Sequence, residues 1–303
     1  MHEIFYFTKR NWLIYIRDRA AVLSSLLSTI IVLVLMVVFL GKINSADLTA
    51  QLSMFGDRDI AADEKNAAYL IQLWTLAGIL VVNAVNITLT VIGAMVHDEA
   101  NHRSIAFYVS PVKRIRLSLG YILSAWLAGT LMCILTLAVG EIYFFTQGYP
   151  LLSFASLCAL TGMILLNTFT FSALGYLLAL SVSSTRAWGG IMTIIGTLVG
   201  FVGGIYLPLG SLSEQLQKII KCMPVIHGAA MMRYTCTSAA AKVAFTDAPD
   251  AAVAIFNERM GISLFWGENK ITLGMQVLIL LTYAIIAIIA AAFLSQKRKA
   301  KDR

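Results

Sequence analysis

Residues 97–116, HDEANHRSIAFYVSPVKRIR, separate two long apolar parts of the chain. They carry four basic and two acidic side chains, whereas Asn66–His97 and Leu117–Gly140 contain no Asp, Glu, Lys or Arg. Each of these two runs is long enough for a helix of about 20 residues that crosses a bilayer. The charged segment between them is therefore predicted to be a loop at a membrane surface.

The composition of the whole chain also favours a membrane protein. Of the 303 residues, 59% are hydrophobic and 13% are charged, and the mean hydropathy is +0.80. Soluble domains have about 45–50% apolar and about 25% charged residues. A soluble chain with so few polar residues could not cover its own core, so a lipid bilayer is the expected solvent.

Six charge-free runs predict six transmembrane helices. The longest run, Ile142–Thr185, contains TQGYP at 146–150, where glycine and proline end one helix before the next begins. None of the runs alternates in polarity as a barrel strand would, and a helix satisfies its own backbone hydrogen bonds in hydrocarbon. The predicted fold is an all-α membrane protein, a single domain over 1–303, with spans at 20–41, 68–96, 117–140, 152–181, 187–208 and 271–296.

Lys and Arg residues concentrate on one side of the predicted membrane. Fourteen of the 23 lie in 1–19, in 97–116, at Arg186 and in the tail after 296. Short basic loops face the cytoplasm, so both termini and the 97–116 loop are predicted to be cytoplasmic in a multi-pass protein of the cell membrane. This topology explains the net charge of +7, and nucleic acid is not expected as a partner.

Residues 1–19 predict an interfacial helix on the membrane surface. At about 100° per residue, charged and apolar side chains form two opposite stripes: Glu3, Arg10 and Arg17 against Phe5, Trp12 and Ile16. Such a helix could be a simple anchor or could also reach a cytoplasmic partner. The apolar run that follows is too long for the core of a cleaved signal peptide and is predicted to remain as the first span.

Two motifs, in this order, resemble those of permease subunits of ABC-2 family exporters, which belong to the ATP-binding-cassette transporters. After the second span, these permeases have acidic residues, Ser-Pro and then a basic residue, which are matched here by Asp98, Glu99, Ser110, Pro111 and Arg114. After the fifth span, they have a Gly, a Pro, a short amphipathic helix, a second Pro and an Arg, which are matched here by Gly204, Pro208, Leu212–Ile220, Pro224 and Arg233.

The resemblance covers nearly the whole chain, with two departures. The family often has Gly-Thr after the acidic residue, where this chain has His102, Arg103 and Ser104. Residues 234–270 form an insertion on the outer side that has no counterpart in the family pattern. The two histidines of 97–116 lie five residues apart and do not share a helix face, so a metal site is not predicted.

The resemblance implies that 97–116 is a cytoplasmic coupling loop, with a helix that docks in a groove of a separate ATPase subunit. Its apolar contacts would come from Ile105, Phe107 and Tyr108, and Pro111 would end the helix. A plain cytoplasmic turn is the alternative. The sequence contains no G-x-x-x-x-G-K-[ST] phosphate loop, so the chain is predicted to be no enzyme and to bind no cofactor. ATP and Mg²⁺ would bind to the partner subunit. The complex would contain two copies of that partner and two permeases, which are identical or paralogous.

The resemblance further implies that 209–270 forms an extracellular cap with re-entrant helices between the fifth and sixth spans. Pro208, Pro224 and Arg233 belong to this cap, and an ordinary surface helix is the alternative. Cys222 and Cys236 both fall in this region, so a disulfide between them is possible.

Glycines recur every four residues in the fifth predicted span, at Gly196, Gly200 and Gly204. Such spacing lets another helix approach closely. The partner would be a helix of the same subunit or a second permease.

The predicted spans are nearly free of the charged residues that mark an ion pathway. Polar groups such as Asn83, Asn167 and Thr168, together with aromatic residues, favour an amphipathic, lipid-like or drug-like substrate; hydrogen bonds between helices are the alternative. The main hypothesis is a permease of an ATP-driven exporter. A polysaccharide or lipid-linked glycan exporter of the same fold is one alternative, and an ATPase-independent carrier or membrane scaffold is another, although carriers usually show internal repeats.

Overall fold

The computed structural model describes residues 2–35, 41–55, 58–103 and 112–297, which are predominantly helical. A 3₁₀ turn at Leu209–Ser211 follows the seventh helix, and strands β1 (Phe265–Trp266) and β2 (Asn269–Lys270) form an antiparallel hairpin. The helices are α1 His2–Arg17, α2 Arg19–Leu35, α3 Gly41–Leu52, α4 Ile60–Ala100, α5 Arg114–Thr146, α6 Phe154–Ala179, α7 Thr185–Val202, α8 Glu214–Lys221, α9 Pro224–Ala244, α10 Asp250–Arg259 and α11 Leu273–Lys297.

Within the described residues, five helices are long and apolar enough to cross a membrane: α4, α5, α6, α7 and α11. They correspond to the second to sixth predicted spans, and the chain is an all-α membrane protein. The first predicted span, 20–41, begins as α2, which is described as far as Leu35. Residues 36–40 lie outside the described residues, so the structure does not test the length of this span.

Helix α4 forms the centre of the molecule. Its 41 residues begin at Asp59, whose carboxylate accepts hydrogen bonds from the backbone N–H groups of Ala61 and Ala62. The apolar window of α4 is 78% buried, against 17% for α7 and 22% for α11. A helix that is apolar on all sides is expected at the centre of a bundle, whereas α7 and α11 keep wide apolar faces for lipid or for another protein.

The two ends of the bundle differ. At one end, here called the terminal end, α1 lies against α5 and against the last turn of α4, and the Arg114 guanidinium donates to the Ser295 carbonyl at 3.0 Å. The opposite end, called the far end, contains 58–65, 146–153 and the end of α9. Arg58 connects the first of these segments to the end of α9, because it donates hydrogen bonds to the carbonyl oxygens of Ala244 (3.0 Å) and Thr246. The N-terminal helix and the C-terminal part of α11 therefore lie at the same end of the bundle.

Helix α9 begins deep between the spans. The Tyr283 hydroxyl, ten residues into α11, donates to the Cys222 carbonyl at 2.6 Å just before α9. A Cβ on Gly228 would lie 1.9 Å from Oδ1 of Asn167, which is near the middle of α6, so only glycine fits there. Since α9 ends at Ala244 beside Arg58, the helix runs from the middle of the bundle to the far end.

Two boundaries differ from the sequence prediction. Helix α7 ends at Val202, six residues before the predicted end of the fifth span, because Gly203 caps it and Gly204 adopts a left-handed conformation (φ 66°). Helix α1, predicted to be interfacial over 1–19, ends at Arg17, and Asp18 Oδ1 accepts the Ala21 N–H at 3.0 Å in the first turn of α2. Asp18 thus caps a new helix rather than extending the first one.

Candidate functional site

One residue of the charged stripe of α1, Arg10, reaches a buried partner in the protein. Arg10 forms a two-pronged ion pair with Asp98 in the last turn of α4, with Nη1–Oδ2 at 2.8 Å and Nη2–Oδ1 at 3.0 Å. Asp98 is 3% exposed. The hydrogen bond with Asp98 raises the pKa of Arg10. Such bidentate, charge-assisted pairs are directional and stronger than neutral hydrogen bonds, so α1 is fixed in register against α4.

Tyr121 of α5 completes the environment of Asp98. Its hydroxyl donates to Asp98 Oδ2 at 2.8 Å, and its ring stacks on Tyr176 of α6, with centroids 6.3 Å apart. The Tyr176 hydroxyl donates to Ser118 Oγ at 2.7 Å. Arg10, Asp98 and Tyr121, here called the Asp98 cluster, therefore join α1, α4 and α5, and Tyr176 extends the connection to α6.

A second set of contacts holds the beginning of α5. Arg116 Nη1 lies 2.6 Å from Glu3 Oε2, and both side chains are more than a third exposed, so the pair is worth little by itself. Arg114 adds the bond to Ser295 of α11. The loop between α4 and α5 is thus anchored on one flank by the Asp98 cluster and on the other by α1 and α11.

The arrangement is mechanical rather than catalytic. The Asp98 carboxylate accepts three hydrogen bonds in a buried position, which holds geometry and leaves little capacity for a substrate. Within the described residues, no group of three or more His, Cys, Asp and Glu side chains could hold a metal ion. The function of these contacts is to connect helices.

Comparison with known proteins decides the family. A family model described as ABC-2 family transporter protein matches residues 42–295, which is most of the chain. The chain belongs to the ABC-2 transporter family. No curated protein matches it. Members of this family are transport components of the membrane and generally work with an ABC ATPase. The ABC-2 match begins at residue 42, so it includes Asp98 and Tyr121 but not Arg10.

The residues predicted to couple this ABC-2 transporter to an ATPase have different positions. Asp98 is buried and hydrogen-bonded inside the protein, whereas its contact with an ATPase stays a prediction. Glu99 is half-buried beside it, and Arg114 bonds Ser295. The other coupling residues lie outside the described residues: Ile105, Phe107, Tyr108, Ser110 and Pro111.

Arg233, predicted as part of the outer cap, is a fully buried junction on α9. Its Nη2 donates to the carbonyls of Gly203 (2.6 Å) and Gly204 (3.1 Å), and Nη1 donates to the Met260 carbonyl at 3.4 Å. The guanidinium lies 4.4 Å from the ring centroid of Trp74 on α4. None of the three ion pairs within the described ranges includes Arg233. Its charge is therefore balanced by carbonyl dipoles and an aromatic face.

The two prolines of the same motif mark turns. Pro208 precedes the 3₁₀ turn, and Pro224 is the first residue of α9, where the missing N–H costs nothing. They stand at either end of the segment that contains α8. The motif therefore shapes the return of the chain after α7, and Arg233 holds the end of α7 against it.

The three regularly spaced glycines do not form one continuous strip. Gly196 faces Asn86 of α4, where an added Cβ would lie 3.4 Å from Oδ1, and Gly200 is covered by the Tyr206 ring. Gly204 lies beyond the end of α7. The described contacts of these glycines are within the subunit. Contact of this face with a second permease stays a prediction.

Many hydroxyl groups inside the spans bond a carbonyl one turn back in their own helix, and several other polar groups bond helix to helix. Asn83 donates to Thr136 Oγ1 at 3.0 Å, and the hydroxyls of Thr130 and Thr168 lie 2.9 Å apart. Asn83 and Thr168 are buried. These contacts favour the alternative given above, hydrogen bonding between helices, over a polar lining that would select the substrate.

The possible disulfide between Cys222 and Cys236 is not formed, and both thiols are free. Cys222 precedes α9, whereas Cys236 lies twelve residues into that helix, about 18 Å along its axis at about 1.5 Å per residue. A disulfide needs Cα atoms within about 7 Å. The possibility arose because both residues were placed in one loop, whereas most of a long helix separates them in the structure.

Sequence reasoning missed Arg10 as the partner of Asp98. The charged stripe of α1 was recognised, but a helix on a membrane surface was expected to turn such a stripe toward water. The useful signal was Asp98 itself, an acidic residue directly after a charge-free span, which needs a cation when buried. The sequence offered several nearby cations and no means of choosing among them.

Proposed function

We propose that this ABC-2 transporter is the permease subunit of an ATP-driven exporter, and that a separate ATPase docks at the loop between α4 and α5. Family membership supports an ATPase partner in general. The observation that carries the docking position is the anchoring of both flanks of residues 104–111, by the Asp98 cluster on one side and by Arg114 and Arg116 on the other.

Anchored flanks would let movement of a docked ATPase reach the spans. A push on the loop acts on α4 through Asp98, and the same carboxylate holds Arg10 of α1 and Tyr121 of α5. Hydrogen bonds weaken steeply outside a narrow range of distance and angle, so as long as these contacts persist the three helices move together. ATP binding and hydrolysis on two partner subunits would switch the pathway between inward-open and outward-open states.

The proposed topology has six spans, with α2 and the residues after it as the first. The terminal end would face the cytoplasm, since the basic residues concentrate there. Helices α8 and α9 would form a re-entrant pair that enters from outside and returns. Contacts of Cys222 with Tyr283 and of Gly228 with Asn167 support this, because both partners lie near the middle of their spans.

The proposed substrate is amphipathic, either lipid-like or drug-like, and moves out of the cell. The wide apolar faces of α7 and α11 support a pathway in contact with lipid, formed together with a second permease that is a copy or a paralogue. A charged substrate of small size would need ionisable groups within the spans. Among the described residues, Arg233 is a buried ionisable group on the re-entrant helix α9, and its two terminal nitrogens already donate to backbone carbonyls.

The test is co-purification of the tagged chain from its native membrane, followed by an assay of MgATP hydrolysis. The proposal predicts a stoichiometric ATPase whose association is weakened about tenfold, equivalent to about 1.4 kcal/mol, by Glu99→Ala combined with Pro111→Ala. A matched control changes the same residue types outside the loop, Glu214→Ala on α8 with Pro249→Ala just before α10, and should retain the partner. A chain that purifies without an ATPase, also after crosslinking in cells, would refute the proposal.

A further inference from the structure

A cavity of about 340 Å³ lies at the far end of the bundle. Its walls are the first turns of α4, the connection between α5 and α6, and the last turns of α9. It extends from Lys65 to Leu73, about 12 Å along α4 at about 1.5 Å per residue. The volume is at the lower end of the range of about 300–1,000 Å³ for ligand pockets. The ends of two spanning helices frame it, so it lies at the boundary of the membrane.

The walls of the cavity are held in place by contacts among their own residues. The Tyr69 hydroxyl donates to the Pro150 carbonyl at 2.6 Å, and its ring stacks on Tyr149 with centroids 4.7 Å apart. Phe144 packs edge-on against the same tyrosine. The polar tip of Tyr69 is thus used by the fold, and the rings present apolar surface to the cavity. The interior is completed by small and aliphatic side chains, among them Leu73 and Ala240.

The mouth of the cavity combines a cation with exposed apolar side chains. Lys65 lies one helical turn from Tyr69 and is exposed, and none of the ion pairs of the described residues includes it. Leu151 and Val243, which also line the cavity, are 52% and 57% exposed. Exposure of such side chains to water is unfavourable, whereas contact with the acyl chains of a membrane is favourable.

We propose that this cavity binds an acidic phospholipid of the adjacent leaflet, with one acyl chain inside and the phosphate at Lys65. The walls are mainly apolar and accept a hydrocarbon chain, and the polar side chains of Asn66, Ser153 and Ser156 also line the cavity. A single ammonium at the rim attracts an anionic headgroup, as basic residues near membranes generally do. The binding does not depend on an ATPase or on transport, so it stands or falls separately from the proposed function.

The test is photolabelling of the purified chain in vesicles. The vesicles contain phosphatidylcholine with a minor fraction of phosphatidylglycerol that carries a photoreactive group on one acyl chain. We expect label in peptides covering 148–156 and 236–243. Ala239→Leu, an exposed alanine of α9 that lines the cavity, should reduce this label about tenfold. Ala254→Leu, an exposed alanine of α10, is the matched control and should leave the label unchanged.

The headgroup is tested with a second pair of variants. Lys65→Gln should reduce labelling by phosphatidylglycerol about fivefold relative to labelled phosphatidylcholine, whereas Lys218→Gln on α8 should not. An excess of soluble glycerol phosphate should not displace the label. If Ala239→Leu affects folding, Ala239→Cys blocked with a bulky maleimide after purification replaces it, in a background of Cys158→Ser and Cys222→Ser.

Three results would overturn the proposal. Unchanged labelling in both Ala239 variants would show that no chain enters the cavity. Label spread evenly over lipid-facing peptides such as 278–289 would show annular lipid only. Equal loss of both lipids in Lys65→Gln, or displacement by glycerol phosphate, would show that the anion and the chain are not recognised together.

Discussion

Replacement of Arg233 by Met should be among the most destabilising single changes in this ABC-2 transporter. The side chain is fully buried and bonds three backbone carbonyls from two separate parts of the chain. Methionine has a similar length but no donor. The Met260 carbonyl would keep the Trp74 indole N–H at 2.8 Å, whereas the carbonyls of Gly203 and Gly204 would lose their described side-chain donor.

The magnitude follows from those two carbonyls. Each buried acceptor left unsatisfied costs about 1–3 kcal/mol, and loss of the contact with the Trp74 ring adds about 0.5–2 kcal/mol. Removal of a buried charge recovers part of this, so a net loss of about 3 kcal/mol is expected. At roughly 2–4 °C per kcal/mol for a chain of this size class, Tm should fall by roughly 6–12 °C.

The assay is thermal unfolding of the detergent-purified chain, followed by intrinsic tryptophan fluorescence, since Trp74 lies directly against the guanidinium. Arg233→Lys should recover only part of the stability, because an ammonium keeps the charge but cannot reach two carbonyls with a planar fork. Lys242→Met, an exposed residue two turns further along α9, is the matched control and should change Tm little. A Tm of Arg233→Met equal to that of Lys242→Met would refute the argument.

Three further predictions follow from other contacts. Asp98→Asn should lower the free energy of unfolding by about 2 kcal/mol, since a charge-assisted bidentate pair becomes a weaker contact. The variant should also stimulate the ATPase less than the wild type in the reconstituted complex, and stimulation equal to that of the wild type would contradict a role of Asp98 in positioning the loop. Gly228→Ala should destabilise by about 1–3 kcal/mol through overpacking against Asn167, with recovery in the double variant that also has Asn167→Ala; chemical denaturation measures both. Mass spectrometry without reductant should find free thiols at Cys222 and Cys236, with the first labelled by maleimide in the folded chain and the second after unfolding.

The positions of the spans could be predicted because their cause is local. A charge-free run of sufficient length must be helical in a bilayer. Two predicted spans lie inside α4 and α5, and two others agree with the bounds of α6 and α11 to within a few residues. The end of α7 could not be predicted in the same way. Its run continues to Ser213 without a charge, whereas the helix ends at Gly203 and Gly204, whose carbonyls bind Arg233 from thirty residues later in the chain.

The candidate site was predicted only in outline. The loop at 97–116 was located by its charges, but the assignment of Asp98 as a contact for a partner assumed that a charged residue at a helix end is exposed. Arg10, 88 residues away in sequence, removes it from the surface. Pairing at that separation depends on how α1 lies against α4 and α5, which no local pattern specifies.

The central claim, an ATPase docked on the loop between α4 and α5, is tested most directly by crosslinking in living cells. A photoreactive amino acid at Phe107 is compared with the same amino acid at Ile255, which is exposed on α10 at the other side of the molecule. The account predicts that Phe107 crosslinks to a nucleotide-binding polypeptide, more strongly when ATP turnover is arrested, and that Ile255 does not. Equal crosslinking at both positions, or none at Phe107 while the chain remains in the membrane, would contradict it.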